Sequence, residues 1–311
     1  DGLVIHSENF QALSLLQERY REAVKCVYID PPYNTGNDGF IYRDQLQHSS
    51  WMTMTSQHLN LTSTLLNKES SFFTSIDDNE VENYKTILNR ETHGLDFVAN
   101  IVWQKRYAPD IRTSISEAHE HILTFASCPQ TFKSTRSKLP LTDFQTKQFK
   151  NPDKDPRGPW KSDNFTAQGY RPNQMYEVTT PTGKKVTPPE GRCWVTVEEN
   201  FEKLKKDNRM YFGKEGAGLP GVKRFLSEVD GVTPWTWWSH QDAGHSQDGL
   251  KATMSLFGRG GAFVTAKPPK LLERILTIAN VSDTTTLDYF AGSGTTGHAV
   301  INLNREDGGK R

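Results

Sequence analysis

An acidic residue followed by two prolines and a tyrosine, Asp30-Pro31-Pro32-Tyr33, could act on an amino group. An amine conjugated to an aromatic base is a poor nucleophile, because its lone pair is delocalised into the ring. A carboxylate and a rigid carbonyl that accept its two N–H groups would draw the nitrogen towards a tetrahedral, attacking geometry. Proline restricts the backbone here, so the Asp30 carboxylate and the Pro31 carbonyl are predicted to form this acceptor pair. Tyr33 offers a flat face on which an extruded base could stack.

A glycine-rich turn lies near the other end of the chain. A strand is predicted at 284–290, Gly292 and Gly294 follow it, and a helix is predicted from Thr295. Glycines let the backbone approach a ligand closely, and a helix N-terminus presents free N–H groups. The pattern therefore predicts a cofactor site. Because Gly297 completes the spacing of a dinucleotide-binding turn, this pattern alone leaves a nicotinamide cofactor open.

The sequence predicts strands that alternate with helices, and these elements must position the two segments. Strands are predicted at 24–29, 71–77, 100–104, 121–126 and 284–290, and helices at 51–66, 80–89, 271–279 and 295–303. This alternation indicates a mostly parallel sheet. Two successive prolines cannot continue a strand, so Asp30 is predicted to lie just past the carboxyl end of one.

The composition and the periodicity of the sequence change in the middle of the chain. Residues 131–261 are rich in Pro, Gly, Asn and Trp, lack helical periodicity, and carry clustered lysines and arginines between 133 and 161. We therefore expect a first α/β part at 1–130, an inserted domain at 131–261 and a second α/β part at 262–311. A long solvated loop is the alternative to the inserted domain. The basic cluster could contact phosphates, and a solvated face is the alternative.

Aromatic and histidine residues outside these motifs carry weaker hypotheses. Trp235, Trp237 and Trp238 could stack on bases, with core packing as the alternative. His119 and His121 share a face of a predicted strand, which favours a structural role. The cysteines are widely spaced and form no C-x-x-C pair, so no metal site is predicted.

Composition narrows the class of protein. The chain has 311 residues, 35% of them hydrophobic and 24% charged, which suits a globular α/β domain with an insertion. Its net charge is zero, so a nucleic-acid-binding face would require an uneven distribution of charge. Three cysteines without a disulfide pattern suit a reducing cytoplasm, and we expect neither a secretion leader nor a membrane span. We also expect the chain to be a fragment trimmed at both ends.

Two motifs taken together resemble those of DNA amino-methyltransferases: Asp30-Pro31-Pro32-Tyr33 and Phe290-Ala291-Gly292-Ser293-Gly294-Thr295-Thr296. Their order is similar to that of the β class, and nearly the whole chain resembles the modification subunits of type III restriction systems. The segment Phe263-Val264-Thr265-Ala266-Lys267-Pro268 is similar to that family's other cofactor segment. His6-Ser7-Glu8-Asn9-Phe10 resembles its Gly-Asp-Asn-Leu element, with Ser7 and Glu8 in place of Gly and Asp.

The resemblance implies a Rossmann-like, doubly wound α/β methyltransferase sheet with an inserted target-recognition region at 131–261. It implies direct transfer of a methyl group from S-adenosylmethionine to the N6 amine of an adenine flipped out of DNA. The catalytic residues would be Asp30, Pro31, Pro32 and Tyr33. The cofactor-binding residues would be Glu8, Asp30, Thr265, Lys267, Pro268, Asp288, Phe290, Ala291, Gly292, Ser293, Gly294, Thr295 and Thr296. The family's ribose-binding acid would follow Arg311.

Double-stranded DNA is the partner that the resemblance implies, in a bacterial or archaeal cytoplasm. A second copy of the chain and a helicase–nuclease restriction subunit are further candidate partners. Two other functions stay open. One is methylation of cytosine at N4, whose enzymes more often begin the tetrapeptide with Ser; the other is a non-catalytic DNA-binding subunit that retains the fold. Carbon methylation of cytosine is disfavoured because the chain has no Pro-Cys pair.

Overall fold

The computed structural model describes residues 2–36, 44–91, 94–258 and 265–311. The chain divides into two compact units, one formed by Asp1–Leu139 with Thr233–Arg311 and the other by Pro140–Val232. The second unit is narrower than the insertion expected at 131–261, and the expected boundary after residue 261 lies outside the described residues. No helix within the described ranges combines the length and the apolar character needed to cross a membrane.

The elements follow one another in three stretches of chain. The first unit begins with α1 (Asn9–Leu16), β1 (Val24–Ile29), α2 (His48–Ser63), β2 (Leu66–Ile76), α3 (Val81–Glu91), β3 (Asp96–Gln104), β4 (His119–Ala126) and α4 (Pro129–Thr135). The second unit contains α5 (Asp143–Thr146), β5 (Trp160–Asn164), β6 (Thr166–Gln168), β7 (Val178–Thr179), β8 (Lys185–Val186), β9 (Arg192–Trp194), α6 (Glu198–Lys206), β10 (Met210–Tyr211) and β11 (Gly221–Phe225). The first unit resumes with β12 (Trp237–Trp238), α7 (His240–Ala243), α8 (Ser246–Phe257), α9 (Pro269–Ala279), β13 (Thr285–Leu287) and α10 (Thr295–Asp307).

A six-stranded sheet in the order β12-β3-β4-β2-β1-β13 forms the centre of the first unit. β1 pairs in parallel with β2 and β13, and β12 with β3, but β4 is antiparallel to both of its neighbours. Five of these six strands therefore run in the same direction and only β4 is reversed, so the prediction of a mostly parallel sheet is confirmed for the strands that the structure describes. Residues 105–118, which join β3 to β4, form no crossover helix, and the chain returns antiparallel to β3.

Helices cover both faces of this sheet, which confirms the predicted α/β fold. All six residues of β1 are buried, as expected for a central strand covered on both sides. Cys26 and Tyr28 pack into a core that includes residues of α9 and α10. Val27 and Ile29 point to the opposite face and pack with residues of α2 and α3.

The second unit has its own small core, to which Phe165, Trp194 and Phe201 contribute. Its strands are short and form a three-stranded antiparallel sheet and two two-stranded pairs. Strands of two to five residues are too short to produce a clear alternation of apolar and polar residues. This explains why no strand was predicted in this region. The expected lack of helical structure is wrong for α6 (Glu198–Lys206), whose nine residues are too few for a clear periodic pattern.

The sheet topology decides which residues meet at its carboxyl edge. β1 and β13 are parallel neighbours, so Asp30 and Asp288, which directly follow them, reach the same edge. β4 is antiparallel to β2 and begins at this edge, which brings Glu120 to it as well. The first unit therefore gathers three carboxylates there from distant parts of the sequence.

Candidate active site

A pocket of about 280 Å³ lies at the carboxyl edge of the sheet in the first unit. Three segments line it: the end of β1 with the residues after it, the first turn of α9 with the residues before it, and the turn between β13 and α10 with the start of that helix. The lining residues are Tyr28, Asp30, Pro32, Thr265, Ala266, Lys267, Leu272, Asp288, Phe290, Ala291, Gly292, Ser293, Thr295 and Thr296. The two motifs that stand more than 250 positions apart in the sequence thus share one cavity.

The turn between β13 and α10 needs backbone conformations that favour glycine. Gly292 has a φ of 52° and Gly294, the N-cap of α10, a φ of 77°. The Asp288 carboxylate accepts hydrogen bonds from the Phe290 N–H at 3.0 Å and from the Thr296 hydroxyl at 2.5 Å. This carboxylate therefore ties the turn to the first turn of α10, whose leading N–H groups have no acceptor within the helix.

Asp30 belongs to a cluster with Tyr33, Glu120 and Lys267, called the Lys267 cluster below. The Lys267 Nζ lies 2.8 Å from Oδ1 of Asp30 and 3.2 Å from Oε2 of Glu120. The Tyr33 hydroxyl lies 2.7 Å from the same Asp30 oxygen and 3.0 Å from the same Glu120 oxygen, and it accepts from Lys267 at 2.8 Å. Among the residues that the structure describes, both contacts to Asp30 reach Oδ1 and not Oδ2.

Burial and the shared lysine set the protonation states of this cluster. Burial raises the pKa of Asp30, and the charge of Lys267 opposes that rise. Burial acts to lower the pKa of Lys267, but Asp30 and Glu120 raise it overall, so the ammonium stays charged. Burial acts to raise the pKa of Glu120, but Lys267 and Lys105 hold it below its usual value. Burial and the Asp30 charge raise the pKa of Tyr33, so its hydroxyl remains a donor.

A glycine in α8 allows the segment that carries Lys267 to pack closely against this helix. A Cβ placed on Gly249 would lie 1.9 Å from the carbonyl oxygen of Ala266, far inside contact distance. Only a residue without a side chain lets the segment that carries Lys267 pass this close to the helix. The sequence pattern of α8 contains no signal for this contact, because the two segments meet only in the folded chain.

Asp288 gives the site a pH dependence that can be tested on stability. Burial raises its pKa from 3.8 to about 7, so between these values the folded state holds a proton that the unfolded state has lost. Stability should therefore fall as the pH rises through this window. We expect Asp288→Asn to be more stable than the wild type at pH 8, by about 1 to 2 kcal/mol, with the difference shrinking towards pH 4.

Urea unfolding of both proteins from pH 4 to pH 8, without added ligand, measures this difference. Asp307→Asn is a suitable control, because the Arg311 guanidinium lowers the pKa of that exposed carboxylate and the sign of its effect is reversed. Parallel stability curves for Asp288→Asn and the wild type would contradict the assignment of the proton to Asp288.

The structure separates the four residues predicted to be catalytic. Asp30 and Pro32 line the pocket, whereas Pro31 and Tyr33 do not. The Pro32 carbonyl accepts a hydrogen bond from the Trp51 indole at 2.8 Å, which anchors the tetrapeptide to α2. The Tyr33 hydroxyl is held in the Lys267 cluster. Stacking of a base on the Tyr33 ring stays a prediction.

Most residues predicted to bind a cofactor do line the pocket, but Glu8, Pro268 and Gly294 do not. Glu8 is exposed and is the N-cap of α1, where its Oε2 accepts from the Gln11 N–H at 3.1 Å. Pro268 is buried at the N-cap position of α9, and Gly294 is the N-cap of α10. Residues 263–264 of the predicted cofactor segment lie outside the described residues.

Sequence reasoning missed several residues of the site. Tyr28 and Leu272 line the pocket but look like ordinary core residues in the sequence. Ala266 also lines it and lies in the predicted cofactor segment, although it was not among the predicted cofactor-binding residues. Glu120 joins the Lys267 cluster although no role was predicted for it. Its signal is a carboxylate just before the apolar part of β4, since a charged residue that becomes buried is almost always paired.

The predicted tryptophan cluster is divided by the fold. Trp238 is fully buried in the core of the first unit, as the core-packing alternative predicts. Trp235 and Trp237 are 63% and 46% exposed. Stacking on bases therefore remains a prediction for these two residues only.

Comparison with known proteins gives a consistent match along the chain. The model of the N6_N4_Mtase family, described as DNA methylase, matches residues 24–307. The type III restriction-modification enzyme StyLTI Mod subunit of Salmonella typhimurium (strain LT2) is 33% identical over 346 aligned positions, which cover 100% of this chain and 51% of that protein. The EcoP15I Mod subunit of Escherichia coli is 25% identical, with 98% and 56% covered. The type II methyltransferase M.KpnI of Klebsiella pneumoniae is 27% identical, with 98% and 77% covered.

The chain spans about half the length of the two Mod subunits that it matches. The family match includes the Asp30 segment, the residues before α9 and the glycine turn, which are the three segments that line the pocket. The predicted resemblance to DNA amino-methyltransferases, and to Mod subunits among them, is confirmed. The chain belongs to the N6_N4_Mtase family of DNA methylases.

Proposed function

We propose that this chain transfers a methyl group from S-adenosylmethionine to the N6 amine of an adenine extruded from double-stranded DNA, as the modification component of a restriction-modification system. The observation that carries the proposal is that Asp30 and the glycine turn after β13 line the same pocket. The carboxylate that we propose to bind the amine and the turn that we propose to bind the cofactor therefore line one cavity. A restriction subunit and a second copy of the chain are the protein partners that we propose.

The pocket fits S-adenosylmethionine in its charge. Two carboxylates, Asp30 and Asp288, line it together with one lysine, and burial raises the pKa of both acids. A ligand with a sulfonium and an ammonium group would stabilise their charged forms. We assign the cofactor to the turn from Asp288 to Thr296, with Thr265 and Lys267 beside it. When bound, S-adenosylmethionine supplies an electrophilic methyl group.

The residues of the chain prepare the amine for attack. Lys267 and Tyr33 hold Oδ1 of Asp30, so Oδ2 accepts an N–H of the base. The Pro31 carbonyl is proposed as the second acceptor, because proline restricts the backbone around it. Since burial raises the pKa of Asp30, this carboxylate is also suited to receive the proton that the amine loses on methylation. No covalent enzyme intermediate is needed.

We propose the second unit, Pro140–Val232, as the target-recognition region. Lys147, Lys150 and Lys154 are exposed there and could contact phosphates. Arg157 belongs to the same basic stretch of sequence but bonds to Asp155 at 2.8 Å, so we assign it to the structure of the unit. The phosphate contacts are therefore proposed for only part of the predicted basic cluster.

The reaction can be tested by labelling. The purified protein is incubated with mixed-sequence duplex DNA and S-adenosylmethionine that carries a deuterated methyl group, and the digested nucleosides are analysed by mass spectrometry. We expect the label on the N6 amine of adenine. Label on the N4 amine of cytosine would be compatible with the proposed mechanism but would refute adenine as the methylated base. Cofactor binding without label on DNA would favour the non-catalytic alternative.

A further inference from the structure

A second group of potential ligands lies at the carboxyl edge of the sheet, outside the pocket. It consists of Asp78, the second residue after β2, and of His119 and His121 on β4. One ligand atom from each residue lies within 4.8 Å of the other two. We propose that these three residues form a binding site for a divalent transition-metal ion, with Zn²⁺ as the ion that the ligands suit best.

The separations between these atoms fit one small ion. Nε2 of His121 lies 2.8 Å and Nε2 of His119 lies 3.9 Å from Oδ1 of Asp78. Around a tetrahedral Zn²⁺ with bonds of about 2.0 Å, neighbouring ligand atoms lie about 3.3 Å apart. The two distances bracket this value, so side-chain adjustments of less than about 1 Å would bring the three atoms onto one ion.

The surroundings of the group favour imidazole coordination through Nε2. Nδ1 of His121 lies 3.2 Å from Oδ1 of Asn100 on β3, so with an ion bound the ring can donate its Nδ1–H there and keep the lone pair of Nε2 for the ion. A hydrogen bond from the other ring nitrogen is the usual support of a metal-binding histidine. The ring centroids of His119 and His121 are 5.1 Å apart in an edge-to-face arrangement, which keeps both rings on one side of β4.

The ligand types select the class of metal. Two imidazoles and one carboxylate suit zinc and its transition-metal neighbours, whereas Mg²⁺ and Ca²⁺ prefer sites made of oxygen atoms. The Asp78 side chain is 62% exposed and that of His119 is 36% exposed, so water can occupy the remaining coordination position. The site would therefore have three protein ligands and one exchangeable ligand.

The place of the site in the sheet connects it to the Lys267 cluster. Successive residues of a strand point to opposite faces, so β4 presents Glu120 to Lys267 on one face and both histidines on the other. A bound ion would clamp the first residues of β4 to the end of β2. This clamp would restrain the strand that carries Glu120 without contacting the proposed substrate.

The test measures metal binding directly, so its outcome does not depend on the proposed methylation. The protein is freed of metal with a chelator and titrated with Zn²⁺ by calorimetry. We expect one equivalent to bind, with at least tenfold weaker binding for His121→Ala and for Asp78→Asn. Loss of the supporting hydrogen bond in Asn100→Ala should weaken binding about tenfold.

His48→Ala is the matched control, because His48 pairs with Glu80 at 2.6 Å and belongs to no three-residue group among the described residues. Its affinity for Zn²⁺ should equal that of the wild type. Asp78 is exposed, so Asp78→Asn keeps the test valid even if a histidine variant is unstable. Absence of saturable binding, or binding that His121→Ala and Asp78→Asn leave unchanged, would overturn the proposal in favour of a simple histidine–carboxylate ion pair.

Discussion

Replacing Asp30 with alanine is expected to reduce the rate of methyl transfer by roughly 10³-fold while the affinity for S-adenosylmethionine changes little. The carboxylate is the acceptor that prepares the amine, and the turn from Asp288 to Thr296 supplies most of the lining for the cofactor. Loss of Asp30 therefore removes the interaction with the reacting atoms and one of the two carboxylates of the pocket, whereas the turn keeps its cofactor contacts, so the affinity should fall far less than the transfer rate. Single-turnover transfer of a labelled methyl group and calorimetric titration of the cofactor measure the two quantities separately.

A control variant shows whether removing any carboxylate from the first unit lowers the rate of methyl transfer. Asp96 is exposed at the start of β3, and Asp96→Ala should transfer methyl groups at the wild-type rate. Asp30→Asn keeps the shape of the side chain and should still lose most of the activity, since a neutral amide is a weaker acceptor. Transfer by Asp30→Ala within tenfold of the wild type would refute the proposed mechanism.

Replacing Lys267 with methionine is expected to destabilise the first unit by about 3 kcal/mol at pH 8. Lys267 neutralises both Asp30 and Glu120, and its side chain is only 11% exposed. Without it two neighbouring carboxylates face each other in a site of low exposure, so their pKa values should rise. Because such acids bind protons more tightly in the folded state, the destabilisation should become smaller as the pH falls towards 5. Urea unfolding at both pH values measures the effect.

Two further variants separate charge from loss of the side chain. In Lys267→Met combined with Glu120→Gln, one of the two neighbouring negative charges is gone, and part of the lost stability should return. Lys251→Met provides the surface comparison, because that ammonium is 72% exposed and lies 3.9 Å from Asp248, so less than about 1 kcal/mol is expected. A double variant no more stable than Lys267→Met alone would show that charge pairing does not account for the effect.

The local elements around the site followed closely from the sequence. The strand before Asp30 was predicted at 24–29 and the structure has Val24–Ile29, because a run of β-prone residues ends at two prolines that cannot continue it. The helix after the glycine turn was predicted from Thr295, where it begins. These features depend on backbone rules that act over a few residues, so the sequence alone predicts them.

Pairing partners and ion pairs could not be predicted in this way. The direction of β4 depends on the connection between residues 105 and 118, and its orientation brings Glu120 to the edge where Asp30 lies. Lys267 follows Asp30 by 237 positions, and its contacts exist only because α9 packs on the sheet. The close approach of Gly249 to Ala266 is of the same kind.

The sequence by itself determined the two motifs, the α/β class and the family to which they belong, since each is a local pattern of residue types. The tertiary structure decided which residues of those motifs share the pocket, which lysine neutralises Asp30, and which three side chains meet as the potential metal site. Distances between residues far apart in the chain are set by the packing of whole elements. A sequence pattern specifies the elements, but only their assembly in the folded chain specifies these distances.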